Sequence, residues 1–117
     1  MSGRLRRRAT VVVYRSGKVL LVSDKAGRFL LPGGGIKPGE QPMAAAVREL
    51  HEETALTAKR AEYLFTWESS TNRHFVFLVE ANGDVEIGPE IGEFHWWDQR
   101  EPVPSYPHVR TVLERLS

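Results

Sequence analysis

Three glutamates in the middle of the chain form the pattern with the clearest chemical meaning. Glu49, Glu52 and Glu53 are spaced at i, i+3 and i+4, so on an α-helix their side chains lie on one face. Like charges at this spacing repel each other by about 0.2–0.5 kcal/mol per pair. Carboxylate oxygens are the ligands that Mg²⁺ and Mn²⁺ prefer, whereas zinc sites use thiolates and imidazoles. The spacing therefore predicts a site for a hard divalent cation.

The helix that must carry these acids is predicted to hold Pro42 in its first turn and to end before Ala55. Three consecutive alanines favour a helix, and a proline suits its first turn. The face opposite the acids repeats apolar residues every three to four positions, which is typical of a helix docked on a core. The residues expected to dock are Met43, Ala46, Val47, Leu50 and Thr54. The preceding segment, LPGGGIKPGE at residues 31–40, is predicted to be a glycine loop whose backbone can approach a ligand closely.

The stretch from Gly34 to Leu56 resembles the Nudix box. That pattern is G, five residues, E, seven residues, then R-E-U-x-E-E-x-G-U, where U is a bulky aliphatic residue. Gly34, Glu40 and the run that starts at Arg48 match it, and only Ala55 replaces the last glycine. A left-handed backbone costs a residue with a Cβ about 1 kcal/mol, so Ala55 either bears that strain or the helix ends differently. The resemblance implies an α/β (α+β) Nudix fold, an α/β/α sandwich with a mixed β-sheet between helices.

The resemblance also implies roles for individual residues. The metal ligands would be the Gly34 carbonyl and the side chains of Glu49, Glu52, Glu53 and Glu90. Glu90 stands in the loop before the last strand, where Glu93 is the alternative. The catalytic group would be Glu49, Arg48 and Glu52, with Glu49 also a candidate general base. Glu40 would play a structural part by anchoring Arg48, or would reach the metal through water.

Basic residues and glycines near the box are candidates for binding the substrate's phosphates. These candidates are Arg8, Arg28, Gly33, Gly34 and Lys37. Arg8 ends a cluster of arginines at the start of the chain. Residues 1–7 are expected to form a basic, flexible arm, and the other interpretation of the cluster is a patch that attracts phosphates to the site.

The resemblance implies a Mg²⁺-dependent pyrophosphohydrolase, with Mn²⁺ as a substitute, that cleaves a small phosphoanhydride by attack of water. The expected substrate is a (deoxy)nucleoside triphosphate. A dinucleoside or diphosphoinositol polyphosphate is the alternative, because PGGG, KPGE and AAVRE are similar to the diphosphoinositol branch. A non-catalytic nucleotide sensor is a further alternative, although every acid of the box is present. A small RNA-binding domain is disfavoured because basic residues cluster only at the N-terminus.

Composition is that of one ordinary globular domain. The chain has 117 residues, a net charge of +1 and no cysteine, which excludes disulfides and thiol catalysis. A single domain over residues 1–117 is expected. No apolar run reaches the roughly 20 residues of a membrane span, and neither a signal peptide nor a nucleic-acid partner is expected. A cytoplasmic location is predicted, and a homodimer is compatible with the sequence.

Periodicity and turn residues predict the elements around the box. Strands are expected at residues 9–15, 19–23, 29–31, 59–68, 74–80 and 94–98, and a final amphipathic helix at 108–116. Residues 59–68 and 74–80 are separated by a turn, so they should pair antiparallel. The predicted architecture is a mixed sheet with one helix on each face.

Overall fold

The computed structural model describes residues 4–116, which form eight strands and two helices. The strands and helices follow the predicted order, with the glycine segment as an additional short strand. Their bounds are β1 Arg6–Val12, β2 Tyr14–Arg15, β3 Lys18–Ser23, β4 Phe29–Leu30, β5 Gly33–Gly35, α1 Pro42–Thr54, β6 Thr57–Glu68, β7 Asn72–Asn82, β8 Phe94–Trp97 and α2 Pro107–Arg115.

The strands are divided between two sheets. The larger sheet has the order β5-β1-β7-β6, with β1 parallel to β7 and the other pairs antiparallel. The smaller sheet contains β2, β3, β4 and β8. The prediction of a single strand over residues 9–15 is therefore wrong in one respect. It breaks at Val13, where the chain passes from the larger sheet to the smaller one and where the Val13 carbonyl accepts a bond from the Leu20 amide.

Each helix covers its own part of the core. The buried face of α1 contacts a cluster that includes Ala9 and Val11, and α2 contacts a cluster that includes Val12 and Val76. Because successive residues of a strand point to opposite faces, the alternation of Val11 and Val12 places the two helices on opposite sides of β1. The mixed α/β arrangement with a helix on each side is confirmed.

Two expectations about residues on these elements are corrected. Met43, predicted to dock on the core, is 42% exposed, because the buried face of α1 begins at Ala45 rather than in its first turn. Arg6 and Arg7, predicted to belong to a flexible arm, pair with residues of β7 at the start of β1. Residues 1–3 of that arm lie outside the described residues. Among residues 4–116, no helix is long and apolar enough to cross a membrane.

Candidate active site

Four carboxylates line one cleft of about 280 Å³. Glu49, Glu52 and Glu53 reach it from the last two turns of α1, and Glu90 reaches it from the connection between β7 and β8. Glu93, the alternative to Glu90, does not line the cleft. Its amide and carbonyl are bonded to Ser23 at the end of β3. The structure therefore brings Glu90 to the box acids.

The connection that carries Glu90 is fastened to the end of α1. The Glu86 amide donates to the Thr54 carbonyl (2.8 Å), and the Gly88 amide donates to the Glu53 carbonyl (3.0 Å). A Cβ on Gly88 would lie 2.3 Å from the Glu52 carbonyl oxygen, so only glycine allows this approach. The sequence analysis missed Gly88, for which the only sequence signal is a glycine before a proline in a long connection.

The glycine segment lies against the acids as a strand rather than as the predicted loop. Gly33, Gly34 and Gly35 pair antiparallel with β1, although glycine is normally depleted in strands. The Gly33 amide donates to Glu53 Oε1 (3.0 Å). A Cβ on Gly34 would lie 2.4 Å from the carboxyl carbon of Glu49. These contacts bring the backbone of β5 to the wall of the cleft.

Arg48 connects the acids of the box. Its guanidinium donates twice to Glu40, with Nε–Oε2 and Nη2–Oε1 distances of 2.8 and 2.9 Å. It also bonds Glu49 at 2.8 Å and Glu52 at 3.3 Å, and the Gly35 carbonyl at 3.1 Å. The bonds from Arg48, followed by one from the Lys37 amide, lower the pKa of Glu40 to about 2. The same ion pairs, that with Glu40 first, raise the pKa of Arg48, so Arg48 and Glu40 stay charged at neutral pH.

Glu53 is the acid of the cleft whose pKa is shifted upward by burial. Burial raises its pKa to about 7, against the opposing effects of the Gly33 amide and of Arg8. The nearby carboxylates of Glu49 and Glu90 raise the pKa further. Arg8 is itself half-buried, and the loss of solvation lowers its pKa, while Glu53 and Glu49 act in the opposite direction. Arg8 on β1 is therefore electrostatically coupled to the cleft.

The donor set of the cleft fits a hard cation. All four side chains offer carboxylate oxygens, which suit Mg²⁺ or Mn²⁺. Among residues 4–116, no three acidic or histidine side chains form a ready coordination group. Arg48 accounts for part of this, since it draws Glu49 and Glu52 toward itself. A cation in the cleft therefore has to compete with Arg48 for these two glutamates.

The remaining predicted substrate residues occupy different surroundings. Lys37 is exposed, and its amide donates to Glu40 Oε1 (3.0 Å). The Arg28 guanidinium lies over the ring of Tyr106, 4.5 Å from its centroid, and is not among the residues that line the acidic cleft. Arg8 and Tyr106 instead share a second cavity of about 180 Å³. Arg8 thus lines the second cavity while its charge acts on Glu53 and Glu49 of the acidic cleft, and Arg28 lies beside the second cavity.

Ala55 bears the backbone strain of the position it occupies. Its φ and ψ are 64° and 2°, the left-handed conformation of a helix end, and its amide donates to the His51 carbonyl at 2.8 Å. The helix therefore ends as a glycine would end it. Glu49, Glu52 and Glu53 precede this position and keep their helical spacing.

Comparison with known families agrees with this geometry. A model of the NUDIX domain matches residues 4–116. The chain belongs to the Nudix family. Nudix hydrolases act on small phosphorylated substrates and generally use divalent metals.

Solved Nudix structures superpose on nearly the whole chain. A Nudix hydrolase family member from Chromobacterium violaceum is 29% identical, with a TM-score of 0.89, and the match covers 99% of this chain and 79% of that one. A MutT Nudix hydrolase from Burkholderia pseudomallei is 25% identical, with a TM-score of 0.87 and coverages of 98% and 100%.

Curated Nudix relatives are longer than this chain. Diphosphoinositol polyphosphate phosphohydrolase 3-alpha from Mus musculus is 35% identical over an alignment of 103 residues, and the match covers 79% of this chain and 63% of the relative. Diphosphoinositol polyphosphate phosphohydrolase 2 from Homo sapiens is 33% identical over 102 residues, covering 79% and 57%. The chain thus spans less than two thirds of the length of these relatives.

Proposed function

We propose that this Nudix domain is a Mg²⁺-dependent pyrophosphohydrolase that cleaves a nucleoside diphosphate-linked substrate. The first candidate substrate is a (deoxy)nucleoside triphosphate. The observation that carries the proposal is the meeting of four carboxylates with the backbone of a glycine strand in one cleft. Hydrolysis of a phosphoanhydride needs positioning and charge stabilisation rather than a covalent nucleophile. The cytoplasm is the location we expect for this activity.

In this proposal, the acids hold the cation and Arg48 organises them. The groups that would hold Mg²⁺, or Mn²⁺ in its place, are the side chains of Glu49, Glu52, Glu53 and Glu90 and the Gly34 carbonyl. The bound ion supplies positive charge that neutralises phosphoryl oxygens and makes water a better nucleophile. Glu49 is the candidate base for that water. Arg48 keeps the carboxylate of Glu49 at the cleft wall, and Glu40 holds Arg48 through its two hydrogen bonds.

The substrate's phosphates bind on the side of the cleft where β1 and β5 lie. Arg8 supplies a desolvated positive charge within electrostatic reach of Glu49 and Glu53, and a desolvated charge interacts more strongly than one in water. Gly33 and Gly34 bring the backbone of β5 against Glu53 and Glu49 at the wall of the cleft where the phosphates would bind. Lys37 and Arg28 are assigned to more distant parts of the substrate, because both are exposed.

A diphosphoinositol polyphosphate is the second candidate substrate. The names of the relatives that are 33–35% identical support it. Three consecutive arginines at the start of β1, of which Arg6 and Arg7 are exposed, would suit so anionic a ligand.

The proposal is tested with purified protein, Mg²⁺ and a panel of nucleoside triphosphates, dinucleoside polyphosphates and diphosphoinositol polyphosphates, with identification of the products. We expect turnover of one of these substrate classes. The turnover rate of Glu53→Gln should be lower by about 10²-fold or more, since a proposed ligand is removed. Glu62→Gln is the matched control, because Glu62 is exposed on β6. Binding without turnover would indicate a nucleotide sensor. Equal rates for the two variants would refute the assigned role of Glu53.

A further inference from the structure

Arg8 is held by a closed set of contacts around Leu31. Its Nη2 donates to the Leu31 carbonyl at 2.8 Å, and its Nε donates to Thr10 Oγ1 at 3.3 Å. Leu31 is followed directly by Pro32, whose carbonyl accepts a bond from the Val11 amide at 2.9 Å. The contacts of Arg8 therefore act on the segment that leads into β5.

Two histidines complete the set of contacts. His74 on β7 is only 2% exposed, and its Nδ1 lies 2.8 Å from Thr10 Oγ1. The His108 ring, in the first turn of α2, stacks on the His74 ring with 5.0 Å between centroids. His108 Nε2 lies 3.4 Å from the Leu31 amide, which donates to it. The contacts therefore form a closed ring, in which Arg8 bonds the Leu31 carbonyl and His108 accepts from the Leu31 amide.

Donor and acceptor roles define the proton positions of these rings. The Leu31 amide can only donate, so His108 Nε2 must present a lone pair and the ring carries its proton on Nδ1. Thr10 Oγ1 accepts a hydrogen bond from Arg8 Nε and can donate its own hydrogen to His74 Nδ1; in this arrangement the neutral His74 ring carries its proton on Nε2. Burial, and then the charge of Arg8, lowers the pKa of His74 to about 4 and of His108 to about 3. Both rings are therefore neutral at neutral pH.

We propose that His74 and His108 are positioning residues, which act through Thr10 and Leu31 to fix the Arg8 guanidinium beside the acidic cleft. Arg8 carries the positive charge of this group, since both imidazoles are neutral. The inference rests on the proposed function, in which Arg8 binds a phosphate of the substrate. A guanidinium with a long side chain loses rotamer freedom when it is fixed, so prior fixation favours binding of the substrate.

The test compares two replacements of His108 that differ in the acceptor. His108→Gln keeps an oxygen that can accept from the Leu31 amide, and His108→Phe keeps a ring that can stack but has no acceptor. Steady-state kinetics are measured on the substrate identified by the panel. We expect His108→Phe to raise KM by about tenfold with little change in kcat, because it removes uniform binding. The KM of His108→Gln should stay within about threefold of the wild-type value. The same is expected for the control Arg110→Gln, because Arg110 is exposed on α2.

A double-mutant cycle separates positioning from a general structural effect. If His108 acts through Arg8, Arg8→Gln should raise KM by a much smaller factor in the His108→Phe background than in the wild type. Additive effects of the two substitutions would overturn the proposal. Equal KM values for His108→Gln and His108→Phe, or a lower melting temperature without a change in KM, would overturn it as well.

A second measurement does not depend on activity. In ¹⁵N-detected NMR at neutral pH, His108 should show an unprotonated Nε2 and His74 an unprotonated Nδ1. The opposite tautomer at His108, or a charged ring at either position, would overturn the proposal even in an active enzyme. Absence of turnover on every substrate of the panel, with both tautomers as expected, would instead refute the proposed function and leave the histidine network established.

Discussion

Glu53 combines two properties that define its place in the site. Its carboxylate is bonded to the Gly33 amide, and burial together with Glu49 and Glu90 raises its pKa to about 7. Without a cation, the cleft is thus a place where a negative charge is costly. A bound divalent ion would reverse this by favouring the charged form.

The raised pKa predicts how stability depends on pH in the absence of metal. The native protein holds the Glu53 proton to higher pH than the unfolded chain does, where the ordinary value is 4.5. The contribution of Glu53 to the free energy of unfolding is therefore greatest below about pH 4.5 and is lost as pH rises through about 7. Glu53→Gln removes this dependence and keeps an acceptor for the Gly33 amide.

We expect Glu53→Gln to gain stability relative to wild type as pH rises from 4 to 8, by on the order of 1–3 kcal/mol. Urea denaturation in a chelating buffer at several pH values measures the difference. Glu62→Gln, on the exposed face of β6, should show no such trend. A Glu53→Gln difference that is constant with pH would show that the buried carboxyl does not titrate as described.

At the residue scale, the parts of the site that follow from local spacing can be predicted from the sequence. The parts that depend on long-range contacts cannot. The box acids were predictable because three positions one helical turn apart must share a face. The preference for Glu90 over Glu93 depended on the family resemblance, and its physical cause is the attachment of Gly88 to the end of α1. The contact between His74 and His108 joins residues far apart in sequence on different elements. No periodicity or spacing could have predicted it.

At the scale of the elements, β5 is the least expected feature. Three glycines form a strand because Gly33 approaches β1 so closely that a Cβ would lie 2.0 Å from the Ala9 carbonyl oxygen. Gly33 also has a φ of 145°, which favours glycine. Gly35, two residues later in the same strand, has no atom within 4 Å of the corresponding position.

This contrast predicts opposite outcomes for two substitutions in one strand. Gly33→Ala should destabilise the protein by about 3 kcal/mol or more, because backbone atoms of β1 would have to move. Gly35→Ala should change stability by about 0.5 kcal/mol or less. Thermal unfolding of both variants, without metal, measures the difference. Similar melting temperatures for the two would contradict the close pairing of β5 with β1.

The helices and the long strands could be predicted because their patterns are local. Apolar spacing predicted α1 and α2 nearly to their observed ends, and alternation predicted β6 and β7. The division of residues 9–15 at Val13 could not be predicted, because a continuous apolar run does not show where a chain changes sheets. Tertiary pairing likewise overrides the low strand propensity of β5.

At the scale of the whole molecule, the site is assembled from elements distributed along the chain. The cleft takes residues from α1 and from the connection between β7 and β8, and β5 forms its neighbouring wall. Arg8 on β1 is coupled to the same cleft. The packed core fixes these elements relative to one another, so the acids converge only in the folded chain.

The proposed function requires that the cleft bind a divalent cation through its glutamates. The most direct measurement is a titration with Mn²⁺, in which electron paramagnetic resonance counts the free ion. Wild type should bind Mn²⁺, and the combined variant Glu49→Gln, Glu52→Gln, Glu53→Gln should lose at least about tenfold in affinity, because carboxylate ligands are removed. A control with the exposed Glu62, Glu68 and Glu80 replaced by Gln has the same change in charge. Equal Mn²⁺ binding by the two combined variants would contradict the central claim.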